Sequence, residues 1–239
     1  MGLLENKVAL ITGAGGGIGR GIARRFAREG AAVLVAEIDV DSGQRVAAGL
    51  HELGGQGCFV QTDVLDKKSI LMAIDEAVSQ FGGLDILVNN AFVPSENVLL
   101  EDKTDELLEQ TLTSTIKATW WAMQAALPYF RAREGGKIIN FTSIDTETGA
   151  WLHADYNAGK SGVVGLTRSA AVEWGRFNIT ANCIAPTAMG ATFHKLAADN
   201  PGFAEHAASM RPLGRCGDPE EDIGPVALFL ASELSRYVT

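Results

Sequence analysis

Tyr156 and Lys160 stand four residues apart in the run YNAGK, and Ser143 lies thirteen residues before the tyrosine in KIINFTS. On a helix, residues at i and i+4 share one face a turn apart, which brings the Lys160 ammonium near the Tyr156 phenol. A phenol in water ionises at about pH 10, too high for a base at neutral pH. A fixed positive charge favours the phenolate, and more strongly where both groups are buried. The Ser143 hydroxyl can then hold a carbonyl or alcohol oxygen while Tyr156 exchanges the proton. By itself the pair is a weak signal, because an amphipathic helix carries it by chance. Its surroundings decide its meaning.

Those surroundings alternate short β-branched runs with longer amphipathic stretches. Strands are expected at 8–12, 32–38, 58–62, 85–90, 137–141 and 179–185, and helices near 18–29, 41–53, 67–81, 104–133 and 155–175. Strands that are apolar throughout are buried on both faces, as in parallel sheets. With right-handed crossovers this order gives an α/β, doubly wound parallel sheet with helices on both faces. Repeats, low-complexity tracts and Pro/Ser-rich linkers are absent, so residues 1–239 read as a single domain. Near the C-terminus, Asp218 is the expected cap of a helix with Pro219 at its first position and Glu221 three after the cap.

Directly after the first strand comes Thr12-Gly13-Ala14-Gly15-Gly16-Gly17-Ile18-Gly19, followed by a helix. Glycines let the backbone take positive φ and approach a pyrophosphate without a Cβ in the way. The helix start adds free N–H groups and a positive dipole end. The spacing is G-x-x-x-G-x-G rather than G-x-G-x-x-G, and no Gly-Lys-Ser/Thr follows, which disfavours ATP. Glu37 ends the second strand about twenty residues beyond these glycines, where a carboxylate accepts hydrogen bonds from both ribose hydroxyls and repels a 2′-phosphate. Arg and Lys are absent from the 15–17 run, so NAD is the expected cofactor over NADP. Asp39 competes with Glu37 for this role.

A net charge of −9 argues against a nucleic-acid partner, which would reward clustered Lys and Arg. Cys58, Cys183 and Cys216 are odd in number and widely spaced, so a reducing, cytoplasmic setting fits better than a disulfide framework. Neither a signal segment nor a membrane-spanning apolar stretch is expected. His51, His153, His194 and His206 lack metal-ligand spacing, and no metal is expected.

Taken together, these motifs resemble the short-chain dehydrogenase/reductase family in its compact single-domain branch, along nearly the whole chain. The family's T-G-x-x-x-G-x-G is matched by Thr12 to Gly19, and its Asp-Val pair by Asp63 and Val64. Its N-N-A-G is matched in part by Asn89-Asn90-Ala91, and its serine and Y-x-x-x-K by Ser143, Tyr156 and Lys160. The segment PLGRCGDPEEDI is also similar. The resemblance implies a Rossmann-like fold and an enzyme that interconverts an alcohol and a ketone with a nicotinamide cofactor. Tyr156 would be the acid/base, Lys160 would lower its pKa and bind the nicotinamide ribose, and Ser143 would orient the substrate oxygen. Gly13, Gly15, Gly17, Ile18, Gly19, Glu37, Asp63, Val64, Asn90, Ala91, Pro186 and Met189 would complete the cofactor site, with Asp63 on the adenine. Members continue through a last strand beyond the position of Thr239, so either further residues or a shorter sheet is expected.

Three departures stand out. Phe92 replaces the glycine after Asn-Asn-Ala. Thr115 stands where many members have a catalytic asparagine that helps to hold a water in a proton relay from the lysine. Pro186-Thr187 replaces Pro-Gly, and the threonine that follows is displaced, with Ala191 in its place and Thr192 next to it. The intact Ser143, Tyr156 and Lys160 favour a working enzyme, with a cofactor-binding protein of weak catalysis as the alternative.

The substrate loops are expected at 92–98, 144–155 and 187–210, offering Phe92, Ile144, Trp151, His153, Met189, Phe193 and Met210. Phe92, Ser143, Trp151, His153 and Phe193 are the expected substrate contacts, and such walls fit a hydrophobic cyclic, aromatic or steroid-like alcohol or ketone. Arg131, Arg133 and Lys137 leave an acyl-carrier-protein substrate open. Helices 104–133 and 155–175, with Trp120, Trp121 and Trp174 and the small residues Gly159, Gly162 and Gly165, are expected to pair subunits into a dimer or tetramer.

Overall fold

The computed structural model describes residues 2–239, without the side chains of Ala191, Thr192 and Lys195, so the displaced threonine at 191–192 lies outside the described residues. The strands are β1 (Val8–Thr12), β2 (Ala32–Glu37), β3 (Gln56–Gln61), β4 (Ile86–Asn89), β5 (Gly136–Phe141) and β6 (Ile179–Ile184). The helices are α1 (Gly17–Arg28), α2 (Val40–Leu50), α3 (Lys67–Phe81), α4 (Asp105–Leu112), α5 (Ala118–Ala132), α6 (Asp145–Thr148), α7 (Ala154–Trp174), α8 (Ala191–Asp199), α9 (Phe203–Ser209) and α10 (Gly224–Ala231). Each strand lies within two residues of its expected bounds, because its hydrophobic run was long enough to be read directly.

All six strands pair in parallel, in the order β3-β2-β1-β4-β5-β6. Side chains alternate across the sheet. Ala9 and Ile11 join a core with Phe26 of α1, Val46 of α2 and Leu228 of α10. Val8 and Leu10 join a second core with Ile74 of α3, Met123 of α5 and Ala170 of α7. The chain order reverses between β1 and β4, which opens a crevice beyond the carboxyl ends of these strands, the usual ligand position in an open α/β sheet.

The helix expected over 104–133 is divided. Between α4 and α5 lies a π-helical turn, Thr113–Lys117. Ser114 and Thr115 donate their hydroxyls to the Thr111 carbonyl at 3.3 and 2.6 Å, the kind of back-bonding that bends a helix. This turn packs on α7, where a Cβ on Gly159 would collide with Thr115 and one on Gly162 with Ile116. Those two glycines therefore admit this turn of the same chain, a correction to the expectation that they receive a partner's helix. Only Gly165 of the three faces open space.

Asp218 caps its helix as expected, accepting the Glu220 and Glu221 N–H groups at 2.8 Å each, although the first turn is π-helical. Past α10 the described residues form no further strand. Val238 and Thr239 instead meet β6, through Asn182 Nδ2 on the Val238 carbonyl and the Ala181 N–H on Thr239 Oγ1. Among the described residues, no helix is long and apolar enough to cross a membrane.

Candidate active site

The glycine turn after β1 is built for a close approach. Gly13 has a φ of 66°, and a Cβ on Gly19 would strike the Gly13 carbonyl and come within 2.7 Å of Asn90 Nδ2. Asn90 donates its amide to the Thr12 and Gly13 carbonyls at 2.9 and 3.2 Å. The backbone N–H groups of Asn90 and Ala91 in turn reach Thr12 Oγ1 at 3.0 Å each. Asn90 thus holds the turn, a role that spacing alone could not assign. No side chain caps α1, so its first N–H groups are free for an anion.

A cleft of about 380 Å³ runs along this turn, lined by Gly13, Gly17, Ile18, Glu37, Asp63, Val64, Asn90, Ala91 and Phe92. Gly15 lies behind it and donates its N–H to Glu37 Oε2 at 3.0 Å, while the Ile38 and Asp39 N–H groups bond Oε1 at 2.8 and 3.2 Å. Three backbone donors fix this carboxylate at the rim. Asp39, the competing acid, caps α2 through the Ser42 N–H and does not line this cleft, whereas Glu37 does. Met189 lines an adjoining cavity with Gly17, Arg20, His194 and Pro219. Pro186 lines neither space, and the loop after β6 is tied down by Thr187 and Met189 bonds to Gly217. Glycine backbone, an uncapped helix end and a fixed acid at the rim fit a dinucleotide.

Near Phe92 of this cleft, Lys160 is buried and donates Nζ to the Phe141 carbonyl at 2.8 Å. Its ammonium lies 5.8 Å from the Tyr156 ring centre. Burial holds the Lys160 pKa down at about 8. Burial also raises the Tyr156 pKa, the neighbouring Ser143 hydroxyl lowers it, and the charge of Asp145 raises it further. The lowering expected of Lys160 does not prevail, because burial of the phenol is the largest influence on its pKa. Ser143 Oγ accepts the Asp145 N–H at 3.2 Å, which fixes the serine at the mouth of the loop after β5.

The profile described as Enoyl-(Acyl carrier protein) reductase matches residues 13–239. The 3-oxoacyl-[acyl-carrier-protein] reductase of Staphylococcus aureus is 36% identical, over 98% of this chain and 94% of that protein. The cyclohexanol dehydrogenase of an Acinetobacter species is 33% identical, over 98% and 91%. The solved carveol dehydrogenase of Mycobacterium avium in complex with NAD superposes with a TM-score of 0.91 at 29% identity, covering 100% of this chain and 95% of that one. This chain belongs to the short-chain dehydrogenase/reductase family. It is accordingly an oxidoreductase.

Within the short-chain dehydrogenase/reductase frame, the departures acquire positions. The Phe92 ring stands edge-on to Tyr156 at 4.9 Å and 5.7 Å from Lys160 Nζ, closing the space that glycine would leave open. Thr115 is buried in the π-helical turn with its one proton given to Thr111. A second cavity of about 330 Å³ lies beside the phenol, lined by Phe92, Pro94, Ser95, Asn97, Asp145, His153, Asp155 and Tyr156. Of the expected substrate residues, it gathers Phe92 and His153; Ser143, two residues before Asp145 in the chain, is not among its lining residues. It does not gather Trp151 or Phe193. Trp151 is 77% exposed beyond the left-handed turn at Gly149, and Phe193 packs on Phe203 of α9.

The sequence reading missed Asp155. This carboxylate, next to Tyr156 in the first turn of α7, is 4% exposed and pairs with Lys103 at 2.9 Å. It accepts the Ser95 and Thr111 hydroxyls at 2.5 and 2.7 Å, and Lys103 also reaches Ser95 Oγ at 3.1 Å. Burial alone would raise its pKa, but the hydrogen bonds from Ser95, Lys103, Thr111 and the Tyr156 N–H prevail and hold it at about 2. The network ties the loop carrying Phe92 to the helix carrying Tyr156. Its members are scattered over sixty residues, which leaves no local signal to find them by.

Proposed function

We propose that the protein interconverts a secondary alcohol and a ketone on a hydrophobic cyclic substrate, with NAD(H) as its cofactor. The observation that carries this is Tyr156 lining a cavity of about 330 Å³ that shares the walls Phe92 and Pro94 with the dinucleotide cleft, room for a molecule of one or two rings. Ser143 holds the substrate oxygen, Tyr156 exchanges its proton, and Lys160, anchored on Phe141, keeps a positive charge near the developing phenolate. The nicotinamide supplies the hydride acceptor or donor at the substrate carbon. Glu37 supports NAD, since a carboxylate held by three N–H groups at the cleft rim repels a 2′-phosphate. The similarity to a cyclohexanol dehydrogenase and a carveol dehydrogenase is consistent with a cyclic substrate.

The acyl-carrier reading is weaker on geometry. Lys137 is the second residue of β5 while Ser143 lies two past its end, so the basic group of Arg131, Arg133 and Lys137 sits a strand length from the chemistry, about 3.3 Å per residue. Arg131 also stacks on Phe177, and Arg133 reaches the Gly82 carbonyl. A subunit contact through α5 and α7 is supported by an apolar groove of about 390 Å³ that includes Trp120, Met123, Leu166 and Trp174.

NADH absorbance over a panel of cyclic and acyclic secondary alcohols, with NAD and NADP in parallel, tests the proposal. Turnover of a cyclic alcohol with NAD, lost by at least a thousandfold in Tyr156→Phe while NADH still binds, is the expected result. Full turnover in Tyr156→Phe would sink the mechanism, and tighter binding of NADP than of NAD would refute the role given to Glu37.

A further inference from the structure

We propose that His153, paired with Asp145, exchanges the proton of Tyr156 with solvent from the substrate side, in place of a path through the lysine. The inference rests on the oxidoreductase reading above. Its first support is the state of the lysine side. Thr115 has one hydroxyl proton and gives it to the Thr111 carbonyl at 2.6 Å, while Lys160 Nζ is bonded to the Phe141 carbonyl. The Phe92 ring, 5.7 Å from that ammonium, carries neither donor nor acceptor.

The second support is the arrangement opposite. The His153 ring meets the Tyr156 ring edge to face, with centres 5.7 Å apart, and His153 Nδ1 lies 3.0 Å from Asp145 Oδ2. Both side chains line the cavity beside the phenol. With Nδ1 engaged by the carboxylate, Nε2 is the nitrogen left to exchange protons. No side chain among the described residues bonds it. The imidazole is 37% exposed, which gives it access to bulk water.

The third support is electrostatic. The Asp145 charge opposes ionisation of Tyr156. A proton moved from the phenol to His153 places an imidazolium beside that carboxylate and turns the opposition into a paired charge. The charged or titratable groups facing the imidazole in this cavity are Asp145 of α6, Tyr156 of α7, and Asp155, whose charge Lys103 matches. In alcohol oxidation the substrate O–H proton passes to Tyr156 as the phenol proton passes, directly or over one water, to His153 Nε2 and then to solvent. The hydride goes to the oxidised nicotinamide, and reduction reverses each transfer.

The test compares wild type, His153→Gln and His153→Gly with NAD and the alcohol turned over fastest. Wild-type kcat is expected to fall as pH drops and the acceptor nitrogen is protonated. His153→Gln should lose that limb and about tenfold or more of kcat, with the Kd for NADH unchanged. Added imidazole should restore turnover to His153→Gly in proportion to its free-base concentration. An unaltered pH profile in His153→Gln overturns the proposal, whether kcat survives or KM for the alcohol alone rises. Absence of turnover in wild type would instead refute the parent reading.

Discussion

Removing the partner of Asp155 is the sharpest probe of what holds the substrate loop. Lys103→Met leaves a carboxylate at 4% exposure with only the Ser95 and Thr111 hydroxyls and the Tyr156 N–H to satisfy it. Breaking a buried pair by deleting one member costs about 3–5 kcal/mol, because the other charge remains buried. The two hydroxyls retained place the expected loss near about 3 kcal/mol. At about 2–4 °C per kcal/mol for a chain of this length, thermal unfolding should fall by about 6–12 °C. Asp155→Leu should lose a similar amount, leaving Lys103 with Ser95 and the Glu96 carbonyl. The double variant Lys103→Met/Asp155→Leu should recover at least about 2 kcal/mol relative to the sum of the singles, since no charge is then left unpaired. The carboxylate pKa lies below its ordinary 3.8, at about 2, so its stabilisation is present above pH 3.8 and is lost as pH falls through 2. Thermal or urea unfolding of the four proteins from neutral pH down to below pH 2 reads all of this. Additive losses, with coupling below about 0.5 kcal/mol, would refute the account.

Gly159→Ala should destabilise by about 1–3 kcal/mol through collision with Thr115, and Thr115→Ala in the same chain should relieve most of it, both measured by urea unfolding. Gly19→Ala should weaken NADH binding at least tenfold by fluorescence titration, because the new Cβ displaces the Gly13 carbonyl and the Asn90 amide. Lys160 is a cation whose folded pKa, about 8, lies below its ordinary 10.5. The fold therefore bears the burial penalty fully below pH 8 and is relieved of it as pH rises toward 10.5. The melting temperature of Lys160→Met minus that of wild type should accordingly be more positive at pH 7 than at pH 10, and a constant difference would count against burial as the cause.

Much of this was legible in the sequence, and for a local reason. The six strands were readable because a strand buried on both faces is apolar along its length, and the glycine turn because positive φ and close approach exclude side chains. Tyr156 and Lys160 followed from helical spacing, and Glu37 from its place at a strand end. What the sequence could not settle depended on partners distant along the chain. The 104–133 helix breaks because Ser114 and Thr115 turn their hydroxyls onto Thr111, a choice fixed by packing against Gly159 of α7. Asn90 is bound to the glycine turn, and Asp155 to Lys103, Ser95 and Thr111, through contacts that spacing does not encode. Trp151 and Phe193 lie in the expected loops but do not line the cavity beside Tyr156, Trp151 being exposed and Phe193 packed on Phe203. Residue type and spacing determined the reaction chemistry this chain can carry. Tertiary structure decided the electrostatics of its tyrosine, because desolvation, the Ser143 hydroxyl and the charge of Asp145 act through space and not along the chain.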